Sequence, residues 1–126
     1  MNEQNFAEFI ANRAELYLTR TPESYEIDYA LIERTSGDVV AWLEVICHSG
    51  SPDNEFLLDI KTWEDGIKLT EFSGKPFLIG YRWKEWDFLL QVQSGYIPLV
   101  LIMDHPSDDC TYVRIPKSLF FALTPG

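Results

Sequence analysis

The chain has 126 residues, of which 46% are hydrophobic and 14% aromatic, enough apolar material for one core and the length of a single domain spanning 1–126. Twenty acidic residues against ten basic ones give a formal net charge of -10 and a pI near 4.5, which disfavours non-specific nucleic-acid binding unless a local basic patch or divalent cations intervene. The longest apolar run, "YIPLVLIM", is far shorter than the roughly 20 residues of a membrane span, and "MNEQNFAEF" lacks a basic region followed by an apolar stretch, so the expectation is a soluble, cytoplasmic protein.

In chain order, "NFAEFIANRAELYL" sets Phe6, Phe9, Ile10 and Arg13 at helical spacing with Asn5 as N-cap, and runs into a first strand near Leu16 to Thr19. "IDYALIER" and "DVVAWLEVICH" read as two strands joined by "TSGD", an antiparallel hairpin. Alternation in the second strand puts Trp42, Glu44, Ile46 and His48 on one face, and Leu43, Val45 and Cys47 on the other.

"SGSPDNE" reads as a loop. "EFLLDIKTWEDGIKLTEFSGKP" then predicts a helix whose stripe is Phe56, Ile60, Trp63 and Ile67, stopped by Gly74 and Pro76. Gly66 inside it costs about 1 kcal/mol relative to alanine, a cost that close packing would explain. The remaining segments, "PFLIGYRW", "WDFLLQVQ", "YIPLVLIM" and "TYVRIPKSLF", read as strands, the first two forming a hairpin that turns at Lys84 and Glu85. The sum is an α+β domain with a central mixed sheet.

Two residues stand out chemically. Asp28 precedes one strand of the hairpin and Glu44 lies within its partner, so pairing can bring the two carboxylates together. Such oxygen donors, with a backbone carbonyl and waters, suit Mg²⁺ or Mn²⁺, which activate water and stabilise charge on a phosphoryl group. Each acid also has a plainer reading, Asp28 as a turn or strand-edge carboxylate and Glu44 as a solvated residue on an open sheet face. Cys47 and Cys110, without zinc-type spacing, read as small buried hydrophobes, and His48 and His105 are too scattered to join them in a metal cluster. Tyr81, Trp83, Trp86 and Phe88 read as core and hairpin packing, with base stacking or subunit contact the alternative.

The order of elements, with "ID" before one strand, "LEVICHS" in the next, a helix carrying "DIKTWEDGI", then "GKPFLIGYRW" and "VRIPKSLF", resembles the PD-(D/E)XK nuclease superfamily, and within it small phage-type and Holliday-junction-resolvase-like proteins. The resemblance implies a restriction-endonuclease-like fold, a central mixed β-sheet flanked by helices, and a Mg²⁺- or Mn²⁺-dependent nuclease acting on DNA, with a homodimer as the assembly. It makes Asp28 and Glu44 metal ligands, Val45 the donor of a backbone carbonyl, and Glu8 the supporting acid from the first helix, with Glu15 less well placed. The departure is Ile46, which stands where the family pattern has a lysine that orients water or stabilises developing charge. Either Lys61 on the following helix takes over, with His48 a third candidate, or the site is disabled and the fold serves as an interaction or assembly module. Lys61 and Lys68 also read simply as solvent-facing partners of Asp65 and Glu64.

Overall fold

The computed structural model describes residues 3–22, 26–48, 55–83, 86–95, 97–98, 100–105 and 110–123. Helix α1 (Glu3–Arg13) leads into strands β1 (Tyr17–Arg20), β2 (Tyr29–Ile32) and β3 (Val39–His48). After β4 (Glu55–Asp59) come α2 (Ile60–Ser73), β5 (Phe77–Trp83), β6 (Trp86–Val92), β7 (Leu101–His105) and β8 (Cys110–Pro116). A 3-10 turn, Lys117–Leu119, and the short β9 (Phe121–Ala122) close the chain.

Six strands form a mixed sheet in the order β1-β2-β3-β5-β6-β9, and β4-β8-β7 form a second, antiparallel sheet. The hairpin β2–β3 is antiparallel, with Tyr29 opposite Leu43 and Ala30 opposite Trp42. Helix α2 carries the chain from β3 and β4 to β5, which lies parallel to β3, the crossover that a parallel neighbour requires. The α+β class and the mixed central sheet are therefore as the sequence predicts.

The sheet separates two cores. On the face of Trp42 and Ile46, Phe77, Ile79 and Tyr81 of β5 and Phe88, Leu90 and Val92 of β6 pack with Phe56 and Leu58 of β4, Val113 and Ile115 of β8, and Trp63 of α2. Phe56 is central there, its ring stacked on Tyr81 at 4.8 Å between centroids and edge-on to Phe120 at 4.3 Å. On the opposite face, Phe6, Ala7, Ile10 and Ala11 of α1 cover Tyr29, Leu31, Leu43 and Val45. The alternation read from β3 therefore assigns Trp42 and Ile46 to one layer and Leu43, Val45 and Cys47 to the other, as found.

Three local expectations need correction. Asn5 lies inside α1, which begins at Glu3, so it is no N-cap. Phe56 sits on β4 instead of a helix: "EFLLD" alternates between buried Phe56 and Leu58 and the more exposed Leu57, and pairs with β8. Helix α2 starts only after Asp59, whose carboxylate accepts from the Lys61 N–H at 2.8 Å as an N-cap. Of "YIPLVLIM" only the last three residues join a strand, β7, which begins at Leu101 and runs on to His105.

Gly74 ends α2 in the left-handed region, φ 72°, as its position predicts. Gly66 also has the close contact its cost suggested: a Cβ there would lie 2.1 Å from Phe77 Cε2. In the β5–β6 hairpin Trp83 faces Trp86, while Lys84 and Glu85, the expected turn, lie outside the described residues. Tyr81 and Phe88 are core residues, but Trp86 is exposed. No helix among the described residues is long and apolar enough to cross a membrane.

Candidate functional site

The candidate site grows out of the β2–β3 register. Because Tyr29 faces Leu43, the next step along the antiparallel ladder sets Asp28 across from Glu44. The Thr21 N–H donates to the Asp28 carbonyl at 3.1 Å, extending the same row to the chain that leaves β1. Asp28 in turn donates its own N–H to Glu44 Oε1 at 3.2 Å. The two acids are thus brought together by backbone pairing, with no need for a long loop to converge.

Glu44 shares its face with Trp42 and Ile46, both packed against the larger core, so its carboxyl is held at the margin of apolar material. Burial is the main reason its pKa is pushed up to about 9, and the nearby Asp28 carboxylate and the Glu3 carboxylate act in the same direction. The N–H from Asp28 opposes them without prevailing. In the metal-free protein at neutral pH this pair therefore retains a proton, and the carboxyl groups sit close enough for a side-chain hydrogen bond between them. Tyr81, buried on the same side of the sheet, has its phenol pKa raised by burial and by the Glu44 charge.

The structure also places the other residues named from the sequence. From Glu44 onward, β3 pairs with β5 but has run past the first residue of β2, and Val45 lies in this overhang. Its side chain is buried in the α1 layer, leaving its backbone as the group it can offer. Ile46 pairs with Tyr81 and packs against the core, which accounts for an apolar residue there. Lys61 is exposed in the first turn of α2, and its ammonium forms no ion pair with Asp28 or Glu44 among the described residues. His48 ends β3.

Glu8 is exposed and accepts from Gln4 Nε2 at 3.2 Å, a helix-surface pairing. The α1 acid whose charge reaches Glu44 is Glu3. The sequence held a signal for this, since Glu3 precedes Phe6, Ala7 and Ile10 by three, four and seven positions and so shares their sheet-facing side. Glu15 lies beyond the helix with φ 58°.

Chemically, the paired oxygens fit a hard divalent cation. They are acceptors on adjacent strands, and the proton they retain is one a cation can displace. The described residues contain no group of three or more His, Cys, Asp or Glu side chains placed to hold a metal, so backbone and water would have to complete a shell around the pair. Comparison with protein-family models, curated proteins and solved structures found no match.

Proposed function

We propose that the chain is a divalent-cation-dependent nuclease with a restriction-endonuclease-like fold, hydrolysing phosphodiester bonds in nucleic acid, with DNA the expected substrate. The observation that carries the reading is the Asp28–Glu44 pair, two carboxyl groups joined across a hairpin at the edge of an apolar core. The element order supports it as well: a helix, three successive antiparallel strands and, after β4 of the second sheet, a helix and a strand parallel to the third.

Asp28 and Glu44 would hold Mg²⁺ or Mn²⁺, with the Val45 carbonyl a further oxygen donor. When bound, the cation supplies a more acidic water and a positive charge facing the phosphoryl oxygens. Glu44 gives up its proton on loading, and the apolar wall of Trp42 and Ile46 limits solvent on its inner side. Lys61, exposed in the first turn of α2, is the residue assigned the positive charge that Ile46 lacks, its flexible stem giving it reach. Glu8 keeps only a surface role in this reading, and Glu3 supplies a background negative field that favours cation entry. A homodimer remains the proposed assembly.

One observation favours a second reading. Ile46 occupies the lysine position as a core residue, and Lys61 makes no ion pair with the acids. A chain that binds nucleic acid or a protein partner without cleaving it would satisfy both facts.

Cleavage of duplex, single-stranded and branched DNA in Mn²⁺ and Mg²⁺ separates the two readings. Metal-dependent cleavage lost in Asp28→Asn and Glu44→Gln supports the nuclease; cleavage that survives both substitutions removes the proposed site. Absence of cleavage, with metal binding intact, selects the second reading.

A further inference from the structure

Asp28 lies just outside the strand ladder, since β1 ends at Arg20 and β2 begins only at Tyr29. What holds it is Thr21, the first residue beyond β1. Pro22 follows Thr21, disfavours helical backbone there, and has no N–H to carry the ladder further. The half-buried Thr21 then makes two contacts with the chain entering β2. Its hydroxyl donates to the carbonyl of Ile27, whose side chain is wholly buried, and its N–H donates to the Asp28 carbonyl at 3.1 Å.

These two carbonyls belong to the two peptide units that flank the Asp28 α-carbon. In a regular antiparallel pair that exchanges both backbone bonds, Asp28 would return its N–H to the Thr21 carbonyl. Here that N–H donates instead to Glu44 Oε1 at 3.2 Å, on the β3 side. A trans peptide is planar, with its C=O and N–H pointing opposite ways, so holding the Ile27 carbonyl on the Thr21 hydroxyl aims the Asp28 N–H at Glu44. Fixing both planes also sets φ and ψ of Asp28, and with them the direction of its Cα–Cβ bond. The relay from the Thr21 O–H through one peptide unit to the Glu44 carboxyl polarises each bond in it.

We infer that Thr21 is the positioning residue of the acid pair, its hydroxyl turning the Ile27–Asp28 peptide so that Asp28 meets Glu44. The consequence for cation binding rests on the metal reading of the pair, whereas the positioning itself does not.

Hydrogen exchange of the metal-free protein, read by NMR, and Mn²⁺ titration, followed by the EPR signal of the free ion, test it in wild type, Thr21→Val and Thr21→Ser. Valine keeps the side-chain shape without the hydroxyl. The Asp28 amide should then exchange several-fold faster while the amides of β3 keep their protection, and Mn²⁺ affinity should fall about two- to tenfold, the net worth of one hydrogen bond. Serine restores the hydroxyl and should match wild type on both measures. An Asp28 amide that exchanges alike in wild type and Thr21→Val overturns the inference, as does failure of serine to rescue, or Mn²⁺ bound with equal tightness by wild type and Thr21→Val. A wild type that binds no Mn²⁺, with Asp28 exchange accelerated in Thr21→Val and rescued by serine, removes the metal reading and leaves the positioning role standing.

Discussion

The Asp28 N–H donates to Glu44 Oε1 across the β2–β3 hairpin at 3.2 Å, yet the Glu44 carboxyl stays protonated to about pH 9. One hydrogen bond to the carboxylate is outweighed by burial and by the Asp28 charge. The linkage has a definite sign. The folded pKa, about 9, lies above the ordinary value of 4.5, so the native state binds the extra proton between these values. Metal-free stability should therefore fall as pH rises from 4.5 to about 9, and flatten beyond. Glu44→Gln should raise Tm near pH 8 by on the order of 5 °C and have little effect near pH 4. Thermal melts across this range check both limbs; a wild-type curve parallel to that of the variant would count against the protonated pair.

Asp28→Asn removes a negative neighbour while preserving the backbone N–H that bonds Glu44. The Glu44 midpoint should move down from about 9, because one of the influences that raise it is gone. Carboxyl ¹³C NMR of the metal-free variant reads this directly. The same substitution should weaken Mn²⁺ stabilisation of the fold, measured as loss of the metal-dependent Tm shift.

Much of the arrangement was legible because β3 carries a clean period of two. That alternation separates Trp42, Glu44 and Ile46 from Leu43 and Val45, and the "TSGD" turn fixes Asp28 near Glu44 through hairpin register. "EFLLD" is ambiguous for a physical reason: Phe56, Ile60, Trp63 and Ile67 satisfy helical spacing, but Phe56 and Leu58 equally satisfy strand spacing. Pairing with β8, distant in sequence, decides between them. Glu8 has the acid type but the wrong side of α1, whereas Glu3 shares the side of Phe6, Ala7 and Ile10. The position of the Lys61 ammonium was not legible, since a long exposed side chain at a helix start is fixed by no packing.

Gly66→Ala sets two effects against each other. Alanine improves helix propensity by about 1 kcal/mol, but its Cβ would sit 2.1 Å from Cε2 of the wholly buried Phe77 ring. Phe77 begins β5 and belongs to the larger core, so the ring cannot swing into solvent without opening that core. Overpacking should prevail, with a net destabilisation of about 1–3 kcal/mol. A urea melt showing a lower midpoint with an unchanged m-value is the expected result; a higher midpoint would show that the helix and strand can move apart cheaply.

Arg82 and Asp87 provide a parallel test on the opposite side of the sheet. Asp87 accepts from Arg82 Nε at 2.6 Å and from Nη2 at 2.8 Å, a bidentate pair whose side chains are 13% and 11% exposed. The guanidinium also lies 4.3 Å from the Phe6 ring centroid and 5.3 Å from that of Phe9, so the pair ties the β5–β6 hairpin to α1. Asp87→Ala leaves a largely covered cation without its carboxylate. The expected cost is about 2–4 kcal/mol, because the desolvation of Arg82 persists after its partner is removed. Arg82→Met with Asp87→Leu removes both charges while keeping apolar volume beneath Phe6 and Phe9, and should recover most of that loss. Urea melts of the single and double variants decide this. Hydrogen exchange adds a local readout, since the single variant should lose protection first in α1, the element that rests on the guanidinium. A double variant no more stable than Asp87→Ala would show that the ion pair itself, and not the burial of an unmatched charge, holds α1 in place.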